Sequence, residues 1–110
     1  MEIVRHESLA SDFKKLKRFP APKESLEKWE RLFDAKGLSE TPGIDQCPGF
    51  GDLKIYKARV VAIKENVGKS KSYRAIFELQ GDCCRILVFS RHGIYHDEKD
   101  LIDLIKMRLD

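Results

Sequence analysis

The residues best suited to chemistry are cations in the second half of the chain, where the sequence alternates as strands do. Lys57 and Arg59 are two residues apart, Arg74 follows Tyr73 at the start of the next alternating run, and Arg91 ends the run after it. Residues two apart in a strand project from the same face of a sheet. Arginines and lysines grouped on one half-buried face repel one another unless an anion binds between them. The spacing therefore predicts an anion-binding site.

Whether Arg91 joins the other three cations depends on the phase of its strand. Strict alternation places Arg91 on the same side as Leu87 and Phe89. If the strands pair so that this side coincides with that of the other cations, the cluster is costly unless it binds an anion. Neutralisation by Glu78 or by the acidic C-terminal helix is the competing interpretation.

Two further candidates follow the third run. His92 is of a residue type that titrates near neutral pH and can move a proton, and a tyrosine beside cations, such as Tyr95, can stack an unpaired base. A merely solvated histidine is the alternative interpretation of His92.

The charge of the chain is unevenly distributed. The net charge is +3, but the segment from Lys54 to Arg91 holds nine basic and only three acidic residues. This asymmetry favours a polyanionic partner, and the alternative is that surface lysines only maintain solubility. Five more residues of the segment are predicted to contact RNA: Lys54, Lys64, Lys69, Lys71 and Arg85.

Length and composition exclude several classes of protein. With 110 residues the chain is expected to form one domain, 1–110. It has no apolar run of about 20 residues and no apolar signal core near Met1, so we expect a cytoplasmic protein that does not enter a membrane. The odd cysteine count favours free thiols.

Neither a metal nor a small-molecule cofactor is predicted. Cys83 and Cys84 are adjacent, so they face opposite sides of a strand, and no C-x-x-C spacing links them to Cys47. Pro48-Gly49-Phe50-Gly51 lacks the spacing and the following helix of a nucleotide-binding loop.

The N-terminal half predicts two amphipathic helices. Ser8 is a plausible N-cap for the first, which Pro20 ends, and the second begins at Pro22 or Ser25 and ends at Gly37. Apolar residues at helical spacing give each helix a buried stripe: Leu9, Phe13, Leu16 and Phe19 in the first, and Leu26, Trp29, Leu32 and Phe33 in the second.

Alternation predicts four strands, which are 2–6, 54–64, 72–80 and 83–91. Gly81-Asp82 predicts a tight hairpin between the last two, 38–53 reads as an irregular connection, and Asp97 caps a C-terminal helix. We therefore predict an α+β fold in which an antiparallel sheet of about four strands has an N-terminal helical hairpin on one face and a C-terminal helix. Helices are expected to cover one face of this sheet.

Several of these segments together carry a family pattern: Asp12 to Leu16, Tyr56 to Val60, Ser72 to Phe77, and Ile86 to Arg91 followed by Tyr95. In this order they resemble the RelE/ParE superfamily of toxins from bacterial and archaeal toxin–antitoxin pairs. The predicted fold agrees with that of the family.

The resemblance implies a metal-independent endoribonuclease that cuts mRNA in the ribosomal A site by attack of a ribose 2′-hydroxyl. By this pattern, Lys57 and Arg59 favour the deprotonated hydroxyl and Arg74 binds the scissile phosphate. Arg91 supports the leaving 5′-oxygen, and Tyr95 orients the base. The implied partners are mRNA on the ribosome and a cognate antitoxin protein.

The chain departs from the family in three places. Ser72 stands where a glycine usually precedes the tyrosine-arginine pair, and the 38–53 connection is long for the family. Arg59 is a poor general base because a guanidinium keeps its proton in proteins, so His92 is the candidate for that role. Two alternatives therefore stay open. A ParE-type member inhibits DNA gyrase by protein contact and needs no convergent cationic pocket. A non-catalytic RNA-binding module would use the same basic face to follow an RNA backbone.

Overall fold

The computed structural model describes residues 1–63, 72–91, 94 and 97–109. Its elements follow the chain in this order: β1 (Glu2–Arg5), α1 (Leu9–Lys15), α2 (Pro22–Glu40), β2 (Ile44–Gln46), β3 (Lys54–Val60), β4 (Tyr73–Gln80), β5 (Cys83–Arg91) and α3 (Glu98–Arg108). The chain is α+β, in agreement with the change from helical to alternating patterns in the sequence.

The sheet has five strands in the order β1-β5-β4-β3-β2. β3, β4 and β5 form the predicted antiparallel meander, and β2 extends it by pairing with β3. β1 pairs with β5 in the parallel direction, so the sheet is mixed and the prediction of a purely antiparallel sheet is wrong. β2 escaped prediction because its three residues lie within the segment rich in proline and glycine.

Helices cover both faces of the sheet, where the sequence led us to expect one. On the face that we call the helix face, side chains of α1 and α2 pack with Ala58, Ala75 and Phe77. On the opposite face, which we call the α3 face, Leu101 and Ile105 of α3 pack on a second apolar cluster: Phe50, Ile55, Ile76, Leu87 and Val88. Continuous apolar character in the middle of β4 and β5 is the mark of strands buried on both sides.

α1 ends at Lys15, before the predicted end at Pro20, but most residues of the two predicted stripes are buried. Leu16, Leu26 and Phe33 are fully buried, whereas Leu32 is 39% exposed and lies outside the core. Ser8 occupies the N-cap position of α1 but makes no capping bond through its side chain. Gly37 adopts φ +75° and kinks α2, which continues for one further turn to Glu40. Glycine reaches this backbone conformation without steric cost.

A β-bulge in β5 changes the direction of its side chains. Ile76 pairs with Val88 but Phe77 pairs with Ile86, so Leu87 has no partner in β4. Leu87 and Val88 therefore both lie in the α3-face cluster, and Phe89 lies in the helix-face core. One extra residue reverses the alternation for the rest of the strand.

A buried ion pair binds the backbone at this bulge. The Arg108 guanidinium contacts both carboxylate oxygens of Asp12, at 2.7 and 2.8 Å, and donates to the carbonyl oxygen of Leu87 at 2.8 Å. Asp12 also accepts a hydrogen bond from the backbone N–H of Phe89 at 2.8 Å. The pair joins α1 to the end of α3 across the edge of β5.

Candidate nucleic-acid interface

Three of the predicted cations share the α3 face beyond the end of the apolar cluster. Arg59 on β3 lies directly opposite Arg74 on β4. Lys57 is two residues from Arg59 on the same strand and therefore projects from the same face. Directly opposite residues of antiparallel strands have Cβ atoms about 4.5–5.5 Å apart. We call Lys57, Arg59 and Arg74 the basic cluster.

The cations of the basic cluster form no ion pair among the described residues, although a carboxylate lies opposite one of them. Within the described ranges, none of its three side chains makes a hydrogen bond or an ion pair. Asp45 on β2 lies opposite Lys57, without an ion pair between them, and Ser90 on β5 lies opposite Arg74. Like charges placed directly opposite each other in a sheet are destabilising. An anion held between Arg59 and Arg74 would remove this repulsion.

The charges of the basic cluster affect the pKa of the half-buried Cys47 thiol. Burial raises the pKa of Cys47, while the nearby charges of Lys57 and Arg74 oppose this rise, and Glu98 and Asp45 add to it. Cys47 packs beside the α3-face apolar cluster. It can therefore serve as a chemical reporter of the site.

Arg91 lies on the opposite face of the sheet, apart from the basic cluster. Its guanidinium carbon lies 4.3 Å from the ring centre of Phe19 and 5.2 Å from that of Tyr73, and the residue is only 8% exposed. The convergence of Arg91 with Arg74 that strict alternation allows is therefore wrong. The cause is the bulge at Leu87, which places everything after it on the other face.

Two of the residues predicted to contact RNA, Arg85 and Lys54, lie apart from the basic cluster. Arg85 donates through Nη2 to the carbonyl oxygen of Arg108 at 2.7 Å, and thus binds the C-terminal end of α3. Lys54 is exposed at the start of β3, opposite Leu79, which packs against the helix-face core. Neither residue extends the basic cluster. Five candidates lie outside the described residues: Lys64, Lys69, Lys71, His92 and Tyr95.

A second group of cations, outside residues 54–91, lines an open groove on the other side of the molecule. The groove lies between α1 and the start of α2 and has a volume of about 790 Å³. Its exposed lysines are Lys14, Lys17 and Lys23. The sequence signal for this group is the run Lys14-Lys15-Leu16-Lys17-Arg18. We call this feature the helical groove.

Among the described residues, no group of three or more histidine, cysteine or acidic side chains is placed to hold a metal ion. The three cysteines are free thiols. In the same part of the chain, no helix combines the length and the apolar character needed to cross a bilayer.

No protein-family model matches the chain, and no curated protein or solved structure matches it either. The resemblance to the RelE/ParE toxins therefore rests on the sequence pattern alone.

Proposed function

We propose that this protein is a ribosome-dependent mRNA interferase of the RelE/ParE kind, and that the basic cluster holds the scissile phosphate. One observation carries the proposal: Lys57, Arg59 and Arg74 meet on one sheet face and make no ion pair among the described residues. Two of the roles that the resemblance implies, activation of the hydroxyl and binding of the phosphate, then fall to neighbouring side chains.

The proposed reaction needs positioned charge more than a specialised nucleophile. The ribose 2′-hydroxyl gives its proton to a general base, for which His92 is the sequence candidate, and attacks phosphorus. The P–O5′ bond breaks, and the departing 5′-oxygen takes up a proton from water. The products are a 2′,3′-cyclic phosphate and a 5′-hydroxyl. A planar arginine such as Arg74 can bind two phosphate oxygens at once as their charge grows. The strand fixes its backbone, since Tyr73 and Ala75 on either side are buried.

Arg91 has no part in this chemistry in our proposal. A guanidinium packed between two rings on the helix face is assigned to the core. The cluster thus lacks the cation that the resemblance gives to the leaving oxygen. We therefore expect the isolated protein to cut free RNA poorly and the ribosome to supply the missing positioning.

The same position of Arg91 favours a second candidate, a non-catalytic RNA-binding module. Such a module needs only cations that follow the backbone, and the basic cluster is sufficient for that purpose. For the interferase, in contrast, an acidic segment of an antitoxin protein would mask the cluster, because complementary charge neutralises a polyanion-binding face.

The test is mRNA cleavage in a translating extract by wild type, Arg74→Ala and the matched control Lys28→Ala, which removes an exposed lysine of α2. We expect Arg74→Ala to lower cleavage by about 10²-fold, the scale for loss of one charge-stabilising donor, and Lys28→Ala to leave it unchanged. Wild type that binds RNA without cutting it identifies the module. Growth arrest without RNA binding would favour the gyrase inhibitor.

A further inference from the structure

We propose that Asp45 determines the specificity of the basic cluster for RNA over DNA, because its carboxylate accepts a hydrogen bond from a ribose 2′-hydroxyl. The inference rests on the proposed function, since it requires a nucleic acid at the basic cluster. The resemblance to the toxins gives Asp45 no role, because the residue lies in the 38–53 connection, which is long for that family.

Asp45 lies on the edge strand β2 and shares the sheet face of the basic cluster. It pairs with Lys57 of β3, whereas its neighbour Ile44 packs against the helix-face core. Successive side chains of a strand project from opposite faces, so Asp45 projects from the α3 face. Arg59 is its diagonal neighbour, and such neighbours lie about 7–8 Å apart. A nucleotide whose phosphate binds Arg59 can therefore place its ribose beside Asp45.

The carboxylate of Asp45 is available to a ligand. The residue is exposed, and its side chain makes no hydrogen bond or ion pair with any residue that the structure describes. Burial raises the pKa of the Cys47 thiol, and the charge of Asp45 adds to this rise. Lys57 and Arg74 lower the same pKa, so the carboxylate and the two cations lie near one thiol.

Gly43 leaves the β2 side of Arg59 open. Its carbonyl oxygen accepts a hydrogen bond from the backbone N–H of Arg59 at 3.0 Å, so the two residues lie side by side. A Cβ at Gly43 would lie 3.2 Å from the Cβ of Arg59. Glycine adopts the observed φ of +79° without steric cost, and its missing side chain leaves space for a sugar next to Asp45.

A carboxylate in this position favours a ligand that donates a hydrogen bond. An ionised carboxylate accepts hydrogen bonds and donates none. The 2′-hydroxyl is a donor that RNA has and DNA lacks. The charge of Asp45 repels the phosphates of both nucleic acids alike, so only the hydroxyl contact distinguishes them. A site that bonds a hydroxyl discriminates strongly against an analogue without it.

The alternative role of Asp45 is partial neutralisation of Lys57. A charge that only neutralises weakens the binding of RNA and of DNA by the same factor. The ratio of the two affinities therefore separates a hydroxyl contact from a general electrostatic effect.

The test compares wild type, Asp45→Ala and the matched control Asp52→Ala, which removes an exposed carboxylate from the turn before β3. The probes are oligouridylate, oligodeoxyuridylate and 2′-O-methyl oligouridylate of one short length at one salt concentration. The methylated probe keeps the 2′-oxygen but lacks the donor. We expect wild type and Asp52→Ala to bind oligouridylate about tenfold more tightly than the other two, the scale for one hydrogen bond to a charged group.

Asp45→Ala should bind all three probes alike, whereas Asp45→Asn, which keeps an acceptor oxygen, should retain part of the preference. An unchanged preference in Asp45→Ala would overturn the inference, and so would a wild type that binds the two RNA analogues as tightly as RNA. An equal rise of all three affinities in Asp45→Ala would show that Asp45 only neutralises Lys57. The proposed function fails separately, when Arg59→Gln/Arg74→Gln leaves oligouridylate binding intact.

Discussion

Arginines on the two faces of the sheet differ in their burial and in their contacts. Arg91 on the helix face lies against Phe19 and Tyr73 and is almost inaccessible. Arg74, on the neighbouring strand, projects from the α3 face beside Arg59 without an ion pair among the described residues. An arginine in an alternating strand is therefore not a functional residue by type alone. Its face decides whether it stabilises the fold or is free to bind a ligand.

The bulge that separates the two arginines is held by the ion pair between Asp12 and Arg108. We expect the largest effect from Asp12→Ala, because it removes the carboxylate that pairs with the buried Arg108 guanidinium and accepts a hydrogen bond from the N–H of Phe89. Loss of one partner of a buried pair costs about 3–5 kcal/mol of unfolding free energy. Urea denaturation followed by circular dichroism measures this change.

The control for this experiment is Asp34→Ala. Asp34 is exposed, and its carboxylate lies 3.6 Å from the N-terminal ammonium. Exposed pairs contribute about 0–1 kcal/mol, so the unfolding free energy should hardly change. Equal losses in the two variants would show that the buried pair does not hold the bulge.

A second prediction compares the arginines directly. Arg91→Ala should lower the unfolding free energy by about 2 kcal/mol, the scale for a desolvated cation–π contact. Arg74→Ala should change it by no more than about 0.5 kcal/mol, as is usual at accessible positions. Arg74→Ala also removes the repulsion between Arg74 and Arg59, and this change alone would raise the unfolding free energy. The assignment of faces is wrong if Arg74→Ala proves the more damaging substitution in the same urea titration.

A third and smaller effect is expected at the cysteines. Lys57→Gln removes a charge that lowers the pKa of Cys47, so this pKa rises and less thiolate is present at pH 8. Alkylation of Cys47 by iodoacetamide should therefore slow, as followed by peptide mass spectrometry. Cys84 is an internal reference on the helix face: burial raises its pKa to about 12, and it should react only after unfolding. Faster labelling of Cys47 in Lys57→Gln would contradict this electrostatic link.

Local signals in the sequence predicted much of the fold. The helical stripe with Leu9, Phe13 and Leu16, the Gly81-Asp82 hairpin and the Asp97 cap are all confirmed. The parallel pairing of β1 and the side on which α3 packs were not predicted, because contacts between distant parts of the chain determine both. The residue pattern of a single strand indicates neither the direction in which it pairs nor the face on which a distant helix packs.

The candidate site was predictable only where alternation is unbroken. β3 and β4 pair without interruption, from Lys54 opposite Leu79 to Val60 opposite Tyr73. The residues of the basic cluster were therefore correctly predicted to lie on one face of the sheet. Arg91 was misplaced because a bulge leaves no local signal in Ile86-Leu87-Val88-Phe89, where every residue is apolar. The bulge is hydrogen-bonded to Asp12 and Arg108, and both residues are far from β5 in the sequence.

The most direct test of the central claim is the affinity of Arg59→Gln/Arg74→Gln for a short oligouridylate at several salt concentrations, beside Lys28→Gln. Each lost phosphate contact lowers the salt slope by about 0.7 on a single strand, so the double variant should lose about 1.4. We predict that its affinity falls at least tenfold at low salt, while Lys28→Gln binds as wild type does. A folded double variant with wild-type affinity and slope would show that the basic cluster does not bind RNA.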